Sequence, residues 1–273
     1  MPLPKNEANT INWQDPWLAH LPVFLQICAN ADDLKTALNA HTAGLYSGNQ
    51  QPLQFIPQAD LPDGVAYESH IFNTGGVPTR LNLHDFFNAA IWLTFPKTKA
   101  VLNARQAEQI NQHGVQHQRG MARDALTLFD ENAAILVTSS NEIATALRDF
   151  NWRSALVDTR SQWDLPFTPQ PNARAALYPF GHALLEKLTA PRKAICAHTW
   201  IVMVEPQWFA QNLPERLADL DRRLAEQLKS IELNPRDFCP LPVLGVPHFC
   251  ADNADETFYN DTRIFRAGRT RLM

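Results

Sequence analysis

KAICAHTWIVMVEPQWFAQNLPERLADLDRRLAEQLKSI, residues 193–231, carries the two hydrophobic periods from which the fold class follows. Residues 193–204 form a short apolar run, interrupted by His198 and Thr199, that reads as a buried strand. Then the period changes. Leu213, Leu217, Leu220, Leu224, Leu228 and Ile231 fall at steps of three and four, which predicts a helix over 213–231 with a charged opposite face. Asn212 suits its N-cap, Pro214 its first turn, and Glu215 stands where a capping box needs an acid. A leucine stripe of this kind packs on the chain's own core far more often than it dimerises.

Working outward, Ala133–Thr138 reads as a second strand, preceded by a short helix over Ala122–Glu131 and followed by one over 141–150. Arg153–Val157 reads as a further strand, and a helix over 180–189 leads back to 193–204. Asn82–Thr94 has helical period and should stop at Phe95-Pro96, because the residue before a proline is pushed out of the α region. A second helix is expected from Thr98 to about Asn111, broken by Gly114. Helices near 18–28 and 31–43 belong to an irregular N-terminal wrap over 1–66, whose Gln- and Pro-rich part, 48–64, reads as a long connection. Strands and helices alternate without a regular βαβ rhythm. The expected fold is therefore α+β (irregular α/β): a single globular domain over 1–273, with several helices around a small sheet and a core in 67–266.

Composition bounds the function. With 273 residues, 45% of them hydrophobic, the chain can bury one sizeable core. A net charge of −4 gives no global reason to bind nucleic acid or an anionic membrane. A small basic tail, Arg263, Arg266, Arg269 and Arg271, is expected to pair with the protein's own acids. The four cysteines contain no CxxC pair, and MPLPKNEANTINW does not read as a secretion signal, so a cytoplasmic protein with reduced thiols is expected. No run reaches ~18 apolar residues, which argues against a membrane span. With only 10 glycines there is little material for phosphate-cradling loops, and TGGVPTR (74–80) lacks both the P-loop ending and the dinucleotide spacing, so it reads as a turn. Nothing in the chain specifies an oligomeric state.

The stretch richest in chemistry is YESHIFNTGGVPTRLNLHDFFNAAIWLTFPKTKAVLNARQ, residues 67–106. It interleaves side chains able to move protons or hold anions with large apolar ones, the composition of a pocket wall. His84 and Asp85 open the helix that Asn82 should cap. Near a helix N-terminus the macrodipole favours neutral imidazole, the form that ligates metal or accepts a proton. Asp85 competes for a bland role, completing the cap. Asn88 lies one turn from His84 on the same face. Arg80, Lys97 and Lys99 are candidates to hold an anion, the two lysines beside the free N–H groups that start the next helix. Asp124 is the best additional carboxylate, and His182 and Glu186, spaced i, i+4, suit two ligands or an acid–base pair. His84, Asp85, Asp124, His182 and Glu186 are thus the candidate catalytic groups, Arg80, Asn88, Lys97 and Lys99 the candidate ligand-binding groups, and His84, Asp85 and Asp124 the candidate ligands of a divalent metal. His84 and Asp85 are expected to face a cleft shared with Asp124 or with the His182/Glu186 pair.

The runs NLHDFFNAAIWLTFPKTKAVLN, RDALTLFDEN, FGHALLEK and PLPVLGVP…FYNDTRIFR together resemble an uncharacterised proteobacterial family, a domain of unknown function, across about residues 67–266. That resemblance implies no activity, and His248-Phe249 departs from its pattern. His70, His84-Asp85 and Asp124 also stand in the ligand order of HD-type metal phosphohydrolases. The likeness extends to chemistry only, since the His-Asp pair opens a helix here and the strands do not belong to an all-helical fold. The reading that follows is a hydrolase, open to metal dependence, acting on a small anionic or phosphorylated substrate. The alternatives are a non-catalytic small-ligand or partner-binding domain and a structural interaction protein.

Overall fold

Six strands make two sheets in a computed structural model that describes residues 1–113 and 121–268. β1 (Gln54–Pro57) and β2 (Gly76–Thr79) pair in parallel as a small outer ribbon. β3 (Ala133–Thr138), β4 (Ala175–Pro179), β5 (Cys196–Met203) and β6 (Cys239–Pro242) form the main sheet in the order β4-β3-β5-β6. β3 and β5 run parallel, from Ala133 opposite His198 to Thr138 opposite Met203, and the two edge pairings are antiparallel. All six residues of β3 are buried, as a strand covered on both faces requires. This is an α+β fold around one continuous apolar core that runs from Leu3 to Phe265.

Around the sheets lie α1 (Lys5–Ala8), α2 (Phe24–Ala29), α3 (Leu34–Asn39), α4 (Tyr67–Thr74), α5 (Leu83–Thr94), α6 (Pro96–His113), α7 (Met121–Asn132), α8 (Asn141–Arg148), α9 (His182–Leu188) and α10 (Leu213–Ser230). α10 carries the expected capping box at Asn212 and Glu215 and buries Leu220, Leu224 and Leu228 completely. Ile231 lies just past its end. α6 opens on Pro96 rather than near Thr98, because a proline needs no N–H partner in the first helical turn. Asp221 of α10 accepts from the Lys97 and Thr98 backbone N–H groups at 3.0 and 2.8 Å and from the Thr98 hydroxyl at 2.7 Å. The free donors that start α6 are thereby taken by the protein's own carboxylate.

Several expectations need correction. Residues 153–157 are a π-helical turn that buries Ala155 and Leu156, not a strand; the left-handed Phe150 ends α8 and turns the chain back on itself there. Residues 180–181 precede α9, because the preceding segment is drawn into the sheet as β4. The stretch 48–64 contains β1, and 74–80 contains β2 as well as a turn. Gly75 is the left-handed C-cap of α4, and a Cβ there would strike the Pro52 carbonyl. The four strands that the periodicity did not reveal, QFIP, GVPT, AALYP and CPLP, all contain proline. Proline cannot donate to a ladder, and these strands lie at sheet edges where that costs least. The expected break at Gly114 and the tail residues Arg269 and Arg271 lie outside the described residues. Among the described residues no helix is long and apolar enough to cross a membrane.

Candidate functional site

The N-terminus of α5, the N-terminus of α9, the face of α4 and the C-terminal half of α7 converge on a cleft of about 490 Å³. Its wall includes Tyr67, Glu68, Arg80, His84, Asp85, Asn88, Thr127, Asp130 and His182. Asn82 caps α5 by accepting the Asp85 N–H at 2.8 Å, which places His84 on the helix's first turn facing α9. Gly181 then lets α9 start hard against the end of α7, where a Cβ would strike the Glu131 carbonyl. That close approach sets His182 over Asp130.

His84 Nδ1 stands 2.9 Å from Glu186 Oε2, and its ring meets His182 edge-on with centroids 4.5 Å apart. An ionised carboxylate only accepts, so Nδ1–H is the donor, and in the neutral ring that tautomer leaves the lone pair on Nε2. Both partners are partly exposed, at 36% and 42%, so the dyad is open to a solute. His182 is buried instead: Nδ1 has no hydrogen-bond partner and lies 3.9 Å from Asp130 Oδ2. Burial pulls the His182 imidazole down to about 4, with the Asp130 charge opposing, so the ring is neutral at pH 7.

Behind these rings lies a polarised chain of hydrogen bonds. Lys99, 3% exposed, donates to Asp130 Oδ1 at 2.5 Å and to Asn88 Oδ1 at 2.9 Å. An ammonium has no lone pair, so it fixes the Asn88 carbonyl oxygen toward itself and turns the amide Nδ2 toward the Tyr67 hydroxyl, 3.0 Å away. The Tyr67 oxygen therefore accepts from Asn88, which leaves its own proton for another acceptor. Burial, reinforced by the charges of Glu68, Asp85 and Asp130, pushes the Tyr67 phenol well above its usual range, so it stays a donor. Burial likewise raises the Glu68 carboxyl against the pull of Lys99. Asp130 goes the other way: burial acts to raise it, but Lys99 and then His182 hold it below the ordinary carboxylate value.

The structure brings together His84, Asp85, His182, Arg80 and Asn88 at this cleft, with Glu186 beside it and Lys99 behind its floor, and separates Asp124 and Lys97 from it. Asp124 is exposed and outside the wall; the carboxylate of α7 that faces the site is Asp130. Period alone does not separate the two acids, since Asp124 and Asp130 each stand three residues from Thr127. Asp85 lines the cleft but is fully engaged: the Arg80 backbone N–H, Nε and Nη2 donate to its two oxygens at 2.7, 3.0 and 2.9 Å. Lys97 and Lys99 do not form an anion site. Asp221 already occupies the α6 N-terminus, Lys97 lines a different surface cleft, and Lys99 turns inward to Asp130. The donors proposed for a metal do not fit one either. Among the described residues no three His, Cys, Asp or Glu side chains stand close enough to share an ion, and both Asp85 oxygens already accept from Arg80. His70 does not line the cleft, and its Nε2 is buried without a partner on α4. The sequence reading missed Tyr67, Glu68 and Asp130, each ordinary in its local context and singled out only by what the fold sets opposite it.

No curated protein and no solved structure matches the chain significantly. One family model does, over residues 53–269, covering every wall and network residue described above. The chain belongs to the family described as "protein of unknown function (DUF3025)".

Proposed function

We propose that this protein is a hydrolase of small anionic substrates, with His84 as general base, Glu186 as its orienting carboxylate and Tyr67 as donor to the oxygen that gains charge. The observation that carries the reading is the 2.9 Å His84–Glu186 contact at the rim of a 490 Å³ cleft, with Nε2 left as the acceptor. In this scheme Nε2 takes a proton from water as the oxygen attacks, and Glu186 stabilises the imidazolium that forms. The Tyr67 hydroxyl then meets the developing oxyanion, in a position fixed by Asn88 and Lys99 before substrate arrives. His84 returns its proton to the leaving group. Arg123 and the Nη1 of Arg80, which Asp85 does not use, supply the donors for the substrate's anionic group.

The test is turnover of 4-nitrophenyl succinate and 4-nitrophenyl phosphate, both anionic esters, by the full chain and its variants. Wild type should hydrolyse at least one ester, and His84→Ala should lose about 10²–10⁴-fold in kcat. Its melting temperature should hold, because the ring is partly exposed. Absence of turnover with both esters, or a His84→Ala enzyme as fast as wild type, overturns the reading. A ligand-binding cleft without chemistry is the competing reading. It is favoured by the pairing of Asp85 with Arg80 and of Asp130 with Lys99, and it predicts saturable binding of phenyl phosphate with no turnover.

A further inference from the structure

The cleft continues beyond the groups used above. Leaving the Lys99–Asp130 pair, α6 follows its wall to Gln106 and Ile110, and α7 follows it back to Thr127 and Arg123. Gln106 and Arg123 each stand two turns from that pair, about 10 Å along the helix axis. They therefore line one level of the cleft, away from the His84 end.

Gln106 is nine-tenths buried, yet its carboxamide makes no hydrogen bond among the described residues. Neither of its polar atoms is sealed in: the sealed side-chain atoms without a partner belong to His20, His70, Ser139, His182 and Thr199. Its remaining polar surface opens on the cleft that it lines. A carboxamide has an acceptor and two donors, so a ligand that displaces solvent from it must bring both a donor and an acceptor or lose affinity.

Arg123, half-buried, forms no ion pair among the described residues, whereas Arg80 spends Nε and Nη2 on Asp85. One free guanidinium matches one planar carboxylate in charge and shape. The acids of the wall stand elsewhere. Glu68 is held by Asn103, a turn short of this level, and Asp130 and Glu131 lie at the far end of α7.

We propose that this end of the cleft binds the C-terminal end of a short peptide: the carboxylate pairs with Arg123, the N–H and C=O of the preceding residue pair with the Gln106 carboxamide, and an apolar side chain rests on Ile110. In an extended chain the N–H and C=O of one residue point to the same side, so a single carboxamide can meet both. At roughly 3.3–3.6 Å per extended residue, a ligand anchored on Arg123 reaches the His84 end after about three residues. The inference rests on the proposed placement of substrate in this cleft, not on the chemistry at His84.

Titration calorimetry of the full chain and its His84→Ala variant with three ligands tests this. They are acetyl-trialanine, its C-terminal carboxamide, and the depsipeptide with lactate as the middle residue, which lacks that N–H. One equivalent of acetyl-trialanine should bind, about tenfold tighter than the carboxamide and about fivefold tighter than the depsipeptide. Arg123→Met should bring the peptide to the affinity of its carboxamide. Gln106→Leu should bring peptide and depsipeptide to about equal affinity while its melting temperature holds or rises, because an unpaired polar group leaves the interior. No saturable binding, equal affinity for the carboxamide, or a Gln106→Leu protein that melts lower but keeps the wild-type preference overturns the proposal. Should Gln106→Leu fail to fold, the depsipeptide comparison on the wild type decides. Binding without turnover counts against the hydrolase and not against this site, and turnover without preference for the free carboxylate does the reverse.

Discussion

Nδ1 of His84 lies 2.9 Å from Oε2 of Glu186, although 102 positions separate the two residues in the chain. The contact exists because the N-terminus of α5, capped by Asn82, packs on α9, which Gly181 admits against the end of α7. It defines the rim of the cleft, while the Lys99–Asp130 pair defines its buried floor.

Gly181→Ala should disturb this arrangement first. The added methyl meets the Glu131 and Asn132 backbone, which cannot yield as a side-chain tip can. A loss of about 1–3 kcal/mol in urea unfolding is expected, the usual range for overpacking. The His84 and His182 ring resonances should shift together in NMR spectra, and a variant with wild-type stability and shifts would show that α9 is not anchored there.

Lys99 and Asp130 test as a pair. Removing one partner strands a buried charge, so Lys99→Met alone should cost about 3–5 kcal/mol. Lys99→Met combined with Asp130→Leu should recover most of that, since an apolar pair of similar volume suits the same space. Denaturant titration of both variants decides. A double variant no better than the single would show that Asn88 and Tyr67, which lose their orientation in both, dominate the energetics.

Asp221 holds the start of α6 through two backbone N–H groups and the Thr98 hydroxyl. Asp221→Ala leaves these donors unmatched and should cost about 1–3 kcal/mol, with the largest rise in amide exchange at Lys97 and Thr98. Asp221→Asn keeps the acceptor oxygen and should cost less. An equal loss in the two variants would point to charge, not hydrogen bonding, as the source.

His20 and His182 set the acid limit of the fold. Burial leads in lowering both to about 4, against an ordinary value of 6.5, with the Pro179 backbone opposing at His20 and Asp130 opposing at His182. Above pH 6.5 neither the folded nor the unfolded chain protonates these rings, so their contribution to stability is fully present. As the pH falls from 6.5 toward 4, the unfolded chain takes up protons that the fold refuses, and stability declines by on the order of 3 kcal/mol per ring. His20→Phe should flatten part of the slope of unfolding free energy between pH 6.5 and 4. An unchanged slope would mean that the ring titrates normally in the fold.

The amino-acid sequence by itself determined the elements whose signals are local and repeated. α10 is legible because six apolar residues at helical spacing and a capping box agree with one another, and β3 because an uninterrupted apolar run of that length suits a strand covered on both faces. The N-terminus of α5 was legible for the same reason, and with it the exposure of His84 to whatever packs there. Residues 67–106 were recognisable as a pocket wall from composition alone, because side chains that move protons rarely alternate with large aromatics on a solvent face.

Tertiary structure decided the rest. Proline-bearing segments such as GVPT and CPLP become strands only when a partner edge accepts them, a condition that lies elsewhere in the chain. Asp124 and Asp130 are both acids on α7, and only the packing of that helix turns Asp130 to Lys99 and leaves Asp124 in solvent. Lys99 reads as a candidate anion holder until the fold buries it between Asp130 and Asn88, and Tyr67 becomes a directed donor only through that chain of contacts. A hydrogen bond between side chains distant in sequence has no local period to announce it: its strength and direction come from the low-dielectric surroundings that the assembled core creates.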